Sequence, residues 1–200
     1  MVKKRKNKGK SRGKKVGYFR EGWKYLSESK NYVWAMVGLF VLSGIFGVVF
    51  FGQLGFIDTL LRDLISQIEG KNAFELILFI LQNNAKSAFF ALIFGVVFGI
   101  FPLFNAVFNG LILGYVLRGV YIISGVSDFW RLLPHGIFEL PAIFISLGLG
   151  TKLGMFIFAK KKKKVFRERL IKSLIVYFTI VLPLLIVGAI IEGLLIFYLS

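Results

Sequence analysis

The chain has 200 residues, is 56% hydrophobic, contains 23 Phe and 22 Gly, and has a mean hydropathy of +0.75, with a net charge of +16. A soluble domain of this size could not bury so much apolar surface, so the composition excludes an ordinary soluble fold and predicts a membrane protein. The absence of cysteine excludes disulfides, thiol catalysis and cysteine-ligated metals.

The first 31 residues are strongly basic and poor in apolar side chains. Such a segment cannot bury enough surface to fold, so we predict a disordered cytoplasmic tail over residues 1–31 and a transmembrane helical domain over residues 32–200. The tail is too long and polar for a signal peptide, and we expect it to be retained. We expect it to attract anionic lipid head groups. Nucleic acid is not an expected partner, because no stacking aromatics interleave with its most basic part.

Five windows of the sequence are long and apolar enough to cross a bilayer, which takes about 20 helical residues. They predict an all-α fold, a polytopic transmembrane helical bundle with about five spans. The second and third spans are linked so briefly, by residues 102–105, that they must be antiparallel neighbours. The predicted spans are residues 32–56, 88–104, 106–124, 134–158 and 174–199.

An amphipathic insertion is predicted between the first two spans. Residues 57–70 combine one apolar stripe with polar residues elsewhere, which indicates an interfacial helix. Asn72 followed by Glu75 is typical of a helix cap and opens a second short helix that runs into residues 82–84. The apolar stripe consists of Ile57, Leu60, Leu61, Leu64, Ile65 and Ile68.

The positive charges predict the orientation in the membrane. Most of the 26 Lys and Arg residues lie in the tail before Tyr32 and in a predicted loop over residues 160–173. The positive-inside rule therefore places the N-terminus and this loop in the cytoplasm and the C-terminus outside, so the amphipathic insertion is external.

Glycines recur at the four-residue spacing that lets helices pack closely in lipid. We expect these pairs to pack helices within the chain, although one of them could instead form a homodimer surface. The pairs are Gly95 with Gly99, Gly110 with Gly114, and Gly150 with Gly154.

Four polar side chains inside the spans are predicted to form one intramembrane cluster. His135, the chain's one histidine, and Glu139 share a helix face. Arg118, Glu139 and Glu192 have similar predicted depths, each about 9 Å below the outer boundary. Charges at such depth are tolerated mainly when they face the bundle interior and find partners. The cluster is a structural salt bridge, a proton- or solute-handling site, or a metal or catalytic site. Lys152 is expected to extend its ammonium group to the cytoplasmic interface.

The usual sets of catalytic residues are missing from the sequence. A zinc hydrolase typically has more than one histidine, and no phosphate-binding loop or nucleophile elbow is present. We therefore predict no catalytic, cofactor-binding or metal-binding residues and no cofactor. Pro141 and Pro183 interrupt helices and leave the carbonyls of Ile137 and Thr179 without a backbone donor. Such breaks line polar cavities in some membrane proteins and are ordinary kinks in others.

Several motifs recur in a recognisable order. Asn83 and Asn84 precede a Gly-rich span, Asn109 and Gly110 open the next, and His135, Gly136 and Glu139 open the fourth. With these motifs the chain resembles the stage II sporulation protein M family from about Gln53 to its C-terminus. The resemblance implies a polytopic membrane protein that, in spore-forming bacteria, works with the D and P proteins in a complex that remodels peptidoglycan during engulfment. It implies no enzyme activity for this subunit.

We therefore expect a non-enzymatic, multi-pass protein of the cell membrane that serves as a scaffold or recruits partners in envelope remodelling. It would act as a homodimer or through envelope-remodelling proteins. Two other functions remain open. One is a small transporter or channel, in which the intramembrane cluster lines a path, and the other is a membrane-embedded metal-dependent hydrolase.

Overall fold

The computed structural model describes residues 17–129 and 135–199, with the backbone only at His135 and Leu199. These residues contain eight α-helices and no strand. Five helical segments are long and apolar enough to cross a membrane, which confirms the predicted all-α bundle of five spans. The helices are α1 (Tyr18–Ser27), α2 (Lys30–Val49), α3 (Phe56–Ile68), α4 (Ala73–Ile93), α5 (Ile100–Ser124), α6 (Leu140–Gly154), α7 (Lys162–Val176) and α8 (Leu182–Leu199).

Helix α1 lies within the segment that was predicted to be disordered. Gly22 and Tyr25 are buried on one face, which packs against α7, whereas Phe19 and Trp23 are exposed on the other. The prediction of disorder is therefore wrong for α1, because its apolar residues recur at helical spacing and find a surface to cover. The predicted disorder of residues 1–16 lies outside the described residues.

Helix α3 confirms the predicted amphipathic helix. Ile57 is fully buried, whereas Leu60, Leu64 and Ile65 on the same stripe are exposed. An apolar stripe that the protein leaves uncovered fits a helix that lies in the membrane interface.

Helix α4 is one continuous span where two elements were predicted. The predicted cap is confirmed: Asn72 Oδ1 accepts a hydrogen bond from the Glu75 backbone at 3.0 Å, and Glu75 Oε2 accepts one from the Asn72 backbone at 2.9 Å. The predicted helix end at residues 82–84 and the start of a new span at Ala88 are wrong. No glycine or proline interrupts the sequence between Ala73 and Ile93, so the helix continues through these polar residues.

The turn between the second and third spans lies before the predicted link at residues 102–105. A 3-10 turn, Phe94–Val96, is followed by Phe98 and Gly99 with φ values of 54° and 71°. Helix α5 then begins at Ile100 and includes the predicted link. Pro102 is tolerated there because backbone N–H groups in the first turn of a helix have no acceptor within the helix, so proline loses no hydrogen bond.

The basic connection over residues 160–173 is mostly helical, so its prediction as a loop is wrong. Helix α7 continues through a π-helical turn, Tyr177–Val181, into α8. Lysine, arginine and glutamate are good helix formers, and neither glycine nor proline occurs between Lys162 and Pro183.

Both helix-interrupting prolines follow a π-helical turn. The turn His135–Glu139 precedes Pro141, and the turn Tyr177–Val181 precedes Pro183 at the same spacing. Because proline lacks an N–H and clashes with the carbonyl four residues earlier, the helix widens before it continues. Both helical segments therefore continue past their prolines.

Glycines bring α2 into backbone contact with α5, and the α4–α5 turn into backbone contact with α6. A Cβ atom at most of these positions would overlap the backbone of the facing helix or turn or lie in tight contact with it, and one at Gly99 would make ordinary contact with Thr151. The glycines are Gly44, Gly47, Gly110 and Gly114 between α2 and α5, and Gly95, Gly99, Gly150 and Gly154 between the α4–α5 turn and α6. All three predicted pairs thus pack helices within the chain, and none of them is available as a dimer surface.

Candidate functional site

Glu139 is a fully buried carboxylate enclosed by three helical elements. It lies at the end of the π-helical turn His135–Glu139, where α6 begins. Asn84 of α4 donates a hydrogen bond from Nδ2 to Glu139 Oε2. On the α8 side, a Cβ atom at Gly188 would lie 2.7 Å from Glu139 Cγ and 3.3 Å from Oε1. Only a glycine on α8 therefore lets that helix approach the carboxylate so closely.

The contact between Asn84 and Glu139 lies near the middle of the bundle. At a rise of about 1.5 Å per residue, Asn84 is about 16 Å along α4 from Ala73, and Gly188 is about 15 Å along α8 from Tyr198. Asn84 is thus near the middle of α4, whereas Glu139 lies close to the beginning of its own membrane-spanning segment, Gly136–Phe158.

The next residue of α4 binds the other π-helical turn. The hydroxyl of Tyr177, the first residue of the turn Tyr177–Val181, donates a hydrogen bond to the carbonyl oxygen of Ala85 at 2.8 Å. The Tyr177 ring also packs edge-on against Phe89 of α4, with centroids 5.3 Å apart. Asn84 and Ala85, adjacent in sequence, thus connect α4 to both of the proline-associated turns.

The structure describes three side chains of the predicted intramembrane cluster, Glu139, Glu192 and Arg118. Glu192 is half-buried on α8, four residues after Gly188, so it follows on the helix face that contacts Glu139. Arg118 is exposed on α5, and its guanidinium lies over the ring of Tyr121 in the same helix, 5.6 Å from the centroid. The described contacts of Arg118 do not include Glu139. The side chain of His135 lies outside the described structure.

The five predicted motif residues occupy different environments. Asn84 binds Glu139, whereas its neighbour Asn83 is exposed. Asn109 donates a hydrogen bond to a backbone carbonyl one turn earlier in α5 at 2.9 Å. Gly110 is buried against α2, and Gly136 lies in the first π-helical turn. Within the described part of the chain, no group of three or more His, Asp or Glu side chains could hold a metal ion.

A second polar site, which the sequence analysis did not predict, lies at the other end of α6. Lys152 Nζ donates hydrogen bonds to Ser29 Oγ at 2.9 Å and to the Glu28 carbonyl at 3.3 Å, and it lies 4.0 Å from the centroid of the Tyr25 ring. These groups surround the C-terminal end of α1, where carbonyls lack helical partners and the helix dipole is negative. Lys152 therefore caps α1. Sequence reasoning missed this role because it predicted no helix there.

Other cations surround the same tyrosine. Arg169 of α7 donates a hydrogen bond to the Lys152 carbonyl at 2.5 Å, and Lys172 Nζ lies 5.7 Å from the centroid of the Tyr25 ring. Burial raises the pKa of the Tyr25 phenol, so the ring stays neutral and offers its face to the ammonium groups. These contacts fix α1 to α6 and α7.

Comparisons with known proteins identify sequences similar to this chain. The sequence model of the family described as stage II sporulation protein M matches residues 36–195. Uncharacterized protein MJ0793 of Methanocaldococcus jannaschii is 31% identical over 118 residues, which cover 56% of this chain and 66% of that protein. Uncharacterized protein MJ0706 of the same organism is 29% identical over 130 residues, which cover 62% of this chain and 56% of that protein. The chain thus spans less than two thirds of the length of either relative, and no solved structure matches it significantly.

Proposed function

Because the chain belongs to the stage II sporulation protein M family, we propose that it is a non-enzymatic scaffold that recruits partner proteins during remodelling of the cell envelope. It is a multi-pass membrane protein with five helical segments long enough to cross the bilayer. The family resemblance supports partners that carry out the envelope chemistry, while this chain holds them at the membrane.

The observation that supports this proposal is the close packing of helices in the interior of the bundle. Glycine contacts bring α2 against α5 and the α4–α5 turn against α6, and the Glu139 carboxylate fits against Gly188. At that point α8 leaves no room for a solute beside the carboxylate. We infer that Asn84 and Glu139 fix helix packing, so that interactions with partners use the outer surfaces of the bundle.

Helix α3 is the surface we propose for partner proteins outside the cell. The positive-inside rule supports an orientation with α1 and the basic helix α7 in the cytoplasm, which puts α3 on the external side. The exposed apolar stripe of α3 lies in the interface there, beside the polar face that carries Arg62 and Asp63. Partners would then dock on the polar face of α3, and the homodimer would remain a second possible arrangement.

The test is recruitment by the full-length protein in its native membrane. A photo-crosslinking residue at Asp63 should capture an envelope protein, whereas the same residue at Ile123, 85% exposed on α5, should not capture it. Deleting the gene should displace the captured protein from its normal site in the envelope. The proposal is wrong if both positions give the same products, or if the captured protein keeps its location without this chain.

A transporter is the second candidate, and the position of Glu139 favours it. A buried carboxylate at the end of a π-helical turn is the arrangement from which proton or solute sites are built. Proteoliposomes with the purified protein should show no proton or solute flux above empty vesicles if the scaffold proposal is correct. Flux that disappears in Glu139→Gln and persists in the exposed-site variant Asn83→Gln would favour the transporter.

A further inference from the structure

An apolar groove of about 710 Å³ lies between α2 and α6, beneath α1. Its α2 wall includes Val33, Trp34 and Val37, and its α6 wall includes Phe144 and Ile145. Both walls belong to helices long enough to span the membrane, so the groove opens toward the hydrocarbon of the bilayer. A groove of this size is within the range of pockets that bind small amphiphilic ligands.

One end of the groove is polar and lies at the basic end of the bundle. Trp23 and Ser27 of α1 and Lys30, the first residue of α2, line this end. Trp23 and Trp34 are 59% and 69% exposed, as expected for indoles at a membrane–water interface. The ammonium group of Lys30 therefore lies where the apolar groove meets the surface of the bilayer.

The contacts of Lys152 give this groove a fixed shape. Lys152 holds Glu28 and Ser29, the two residues that form the turn between α1 and α2. This turn keeps Trp23 and Ser27 over the end of the groove. The concavity is thus built by three helices and a cap, which distinguishes it from an ordinary lipid-facing helix surface.

We propose that this groove binds one anionic membrane lipid. A hydrocarbon chain lies against Trp34, Val37 and Phe144, and the phosphate of the head group pairs with Lys30. Apolar walls with few polar groups suit the hydrocarbon chain of a lipid. Lys30 complements the negative head group, in a protein with a net charge of +16. One basic residue at a membrane surface contributes about 1 kcal/mol, so the site should enrich an anionic lipid over a zwitterionic one by about fivefold.

Tryptophan quenching by brominated lipids tests this proposal on the full-length chain. The chain has 3 Trp residues, and Trp130→Phe leaves the two indoles that line the groove. This protein is reconstituted in phosphatidylcholine vesicles that contain a small fraction of either phosphatidylglycerol or phosphatidylcholine with brominated chains. Quenching by the brominated phosphatidylglycerol should correspond to an occupancy about fivefold above that of the brominated phosphatidylcholine at equal fraction.

Three variants locate the site. Lys30→Gln should abolish the preference for phosphatidylglycerol, whereas Arg167→Gln, an exposed cation on α7, should retain it. Val37→Phe should lower quenching by both lipids, because it fills the groove without adding an indole. Equal quenching by the two lipids would mean ordinary bilayer contact and overturn the proposal. So would a preference that Lys30→Gln leaves unchanged, or an absence of quenching, which would mean that another chain covers the groove.

Discussion

Asn84 of α4 donates a hydrogen bond to Glu139 at the beginning of α6, although the two residues are 55 positions apart in the sequence. The next residue, Ala85, accepts a hydrogen bond from Tyr177 at the beginning of the second π-helical turn. Two adjacent residues of one span therefore bind the two spans in which a π-helical turn precedes a proline. A substitution at Asn84 should therefore disturb the packing of helices beyond α4.

Removing the hydroxyl of Tyr177 should destabilise the bundle. Tyr177→Phe keeps the ring against Phe89 but deletes the 2.8 Å hydrogen bond to Ala85, and we expect a loss of about 1 kcal/mol in the free energy of unfolding. The measurement is chemical unfolding of the purified protein in mixed micelles. Tyr198→Phe is the matched control, because that tyrosine is 75% exposed, and it should have no effect. Equal losses in the two variants would contradict the assignment.

Two glycines of α2 should respond oppositely to the same substitution. Gly47 touches the backbone of α5, and a methyl group there would overlap the Leu111 carbonyl, so Gly47→Ala should destabilise by about 1–3 kcal/mol. Gly38 has no atom within 4 Å of its position for a Cβ. Gly38→Ala should therefore be neutral or stabilising by up to about 1 kcal/mol, because alanine favours the helix. A Gly47→Ala protein as stable as the parent would mean that α2 and α5 do not meet in this way.

Loss of the Lys152 ammonium should loosen α1. Lys152→Met keeps the apolar stem of the side chain but removes the hydrogen bonds to Ser29 and Glu28, each worth about 1.5–3 kcal/mol for a charged donor. Amide hydrogen exchange over residues 17–29 should become about tenfold faster or more. Lys163→Met, an exposed lysine on α7, should leave that exchange unchanged. If both variants exchange at the rate of the parent, Lys152 is not the cap of α1.

The orientation of the chain can be tested with single cysteines, because the sequence contains none. In intact cells, an impermeant thiol reagent should label Ser66→Cys on α3 and should not label Lys163→Cys on α7, as the asymmetry of positive charge predicts. Both positions are exposed, whereas Ser173 on α7 is fully buried and would be protected on either side of the membrane. Labelling of Lys163→Cys but not of Ser66→Cys would reverse the topology.

The sequence predicted correctly the elements that depend on interactions between neighbouring residues. The stripe of α3 and the reciprocal cap between Asn72 and Glu75 follow from neighbouring residues, and both are present. The five spans follow from hydropathy alone. The boundaries of α4 and α5 do not follow from hydropathy, because polar residues at 82–84 and a proline at 102 resemble helix ends in sequence. Tertiary contacts accommodate the polar residues inside α4, and the proline lies in the first turn of α5.

The site was predictable only in part. Burial of Glu139 follows from its place in an apolar span, and Asn84 was singled out as a motif residue, but nothing local indicates that they pair across so many residues. The proposed partner Arg118 rested on estimated depth. Depth does not specify which face of α5 the residue occupies, and Arg118 is exposed. Lys152 was assigned to the interface because the helix that it caps was not foreseen.

A double-mutant cycle between Asn84 and Glu139 tests the central claim that this pair fixes the packing of the bundle. The free energies of unfolding of Asn84→Ala, Glu139→Ala and the double variant should reveal a coupling of about 1–3 kcal/mol, because the single changes delete the same hydrogen bond. The parallel cycle between Arg118 and Glu139 should be additive to within about 0.5 kcal/mol, since the exposed guanidinium lies over Tyr121. Additive losses for Asn84 and Glu139, with coupling between Arg118 and Glu139, would contradict this account.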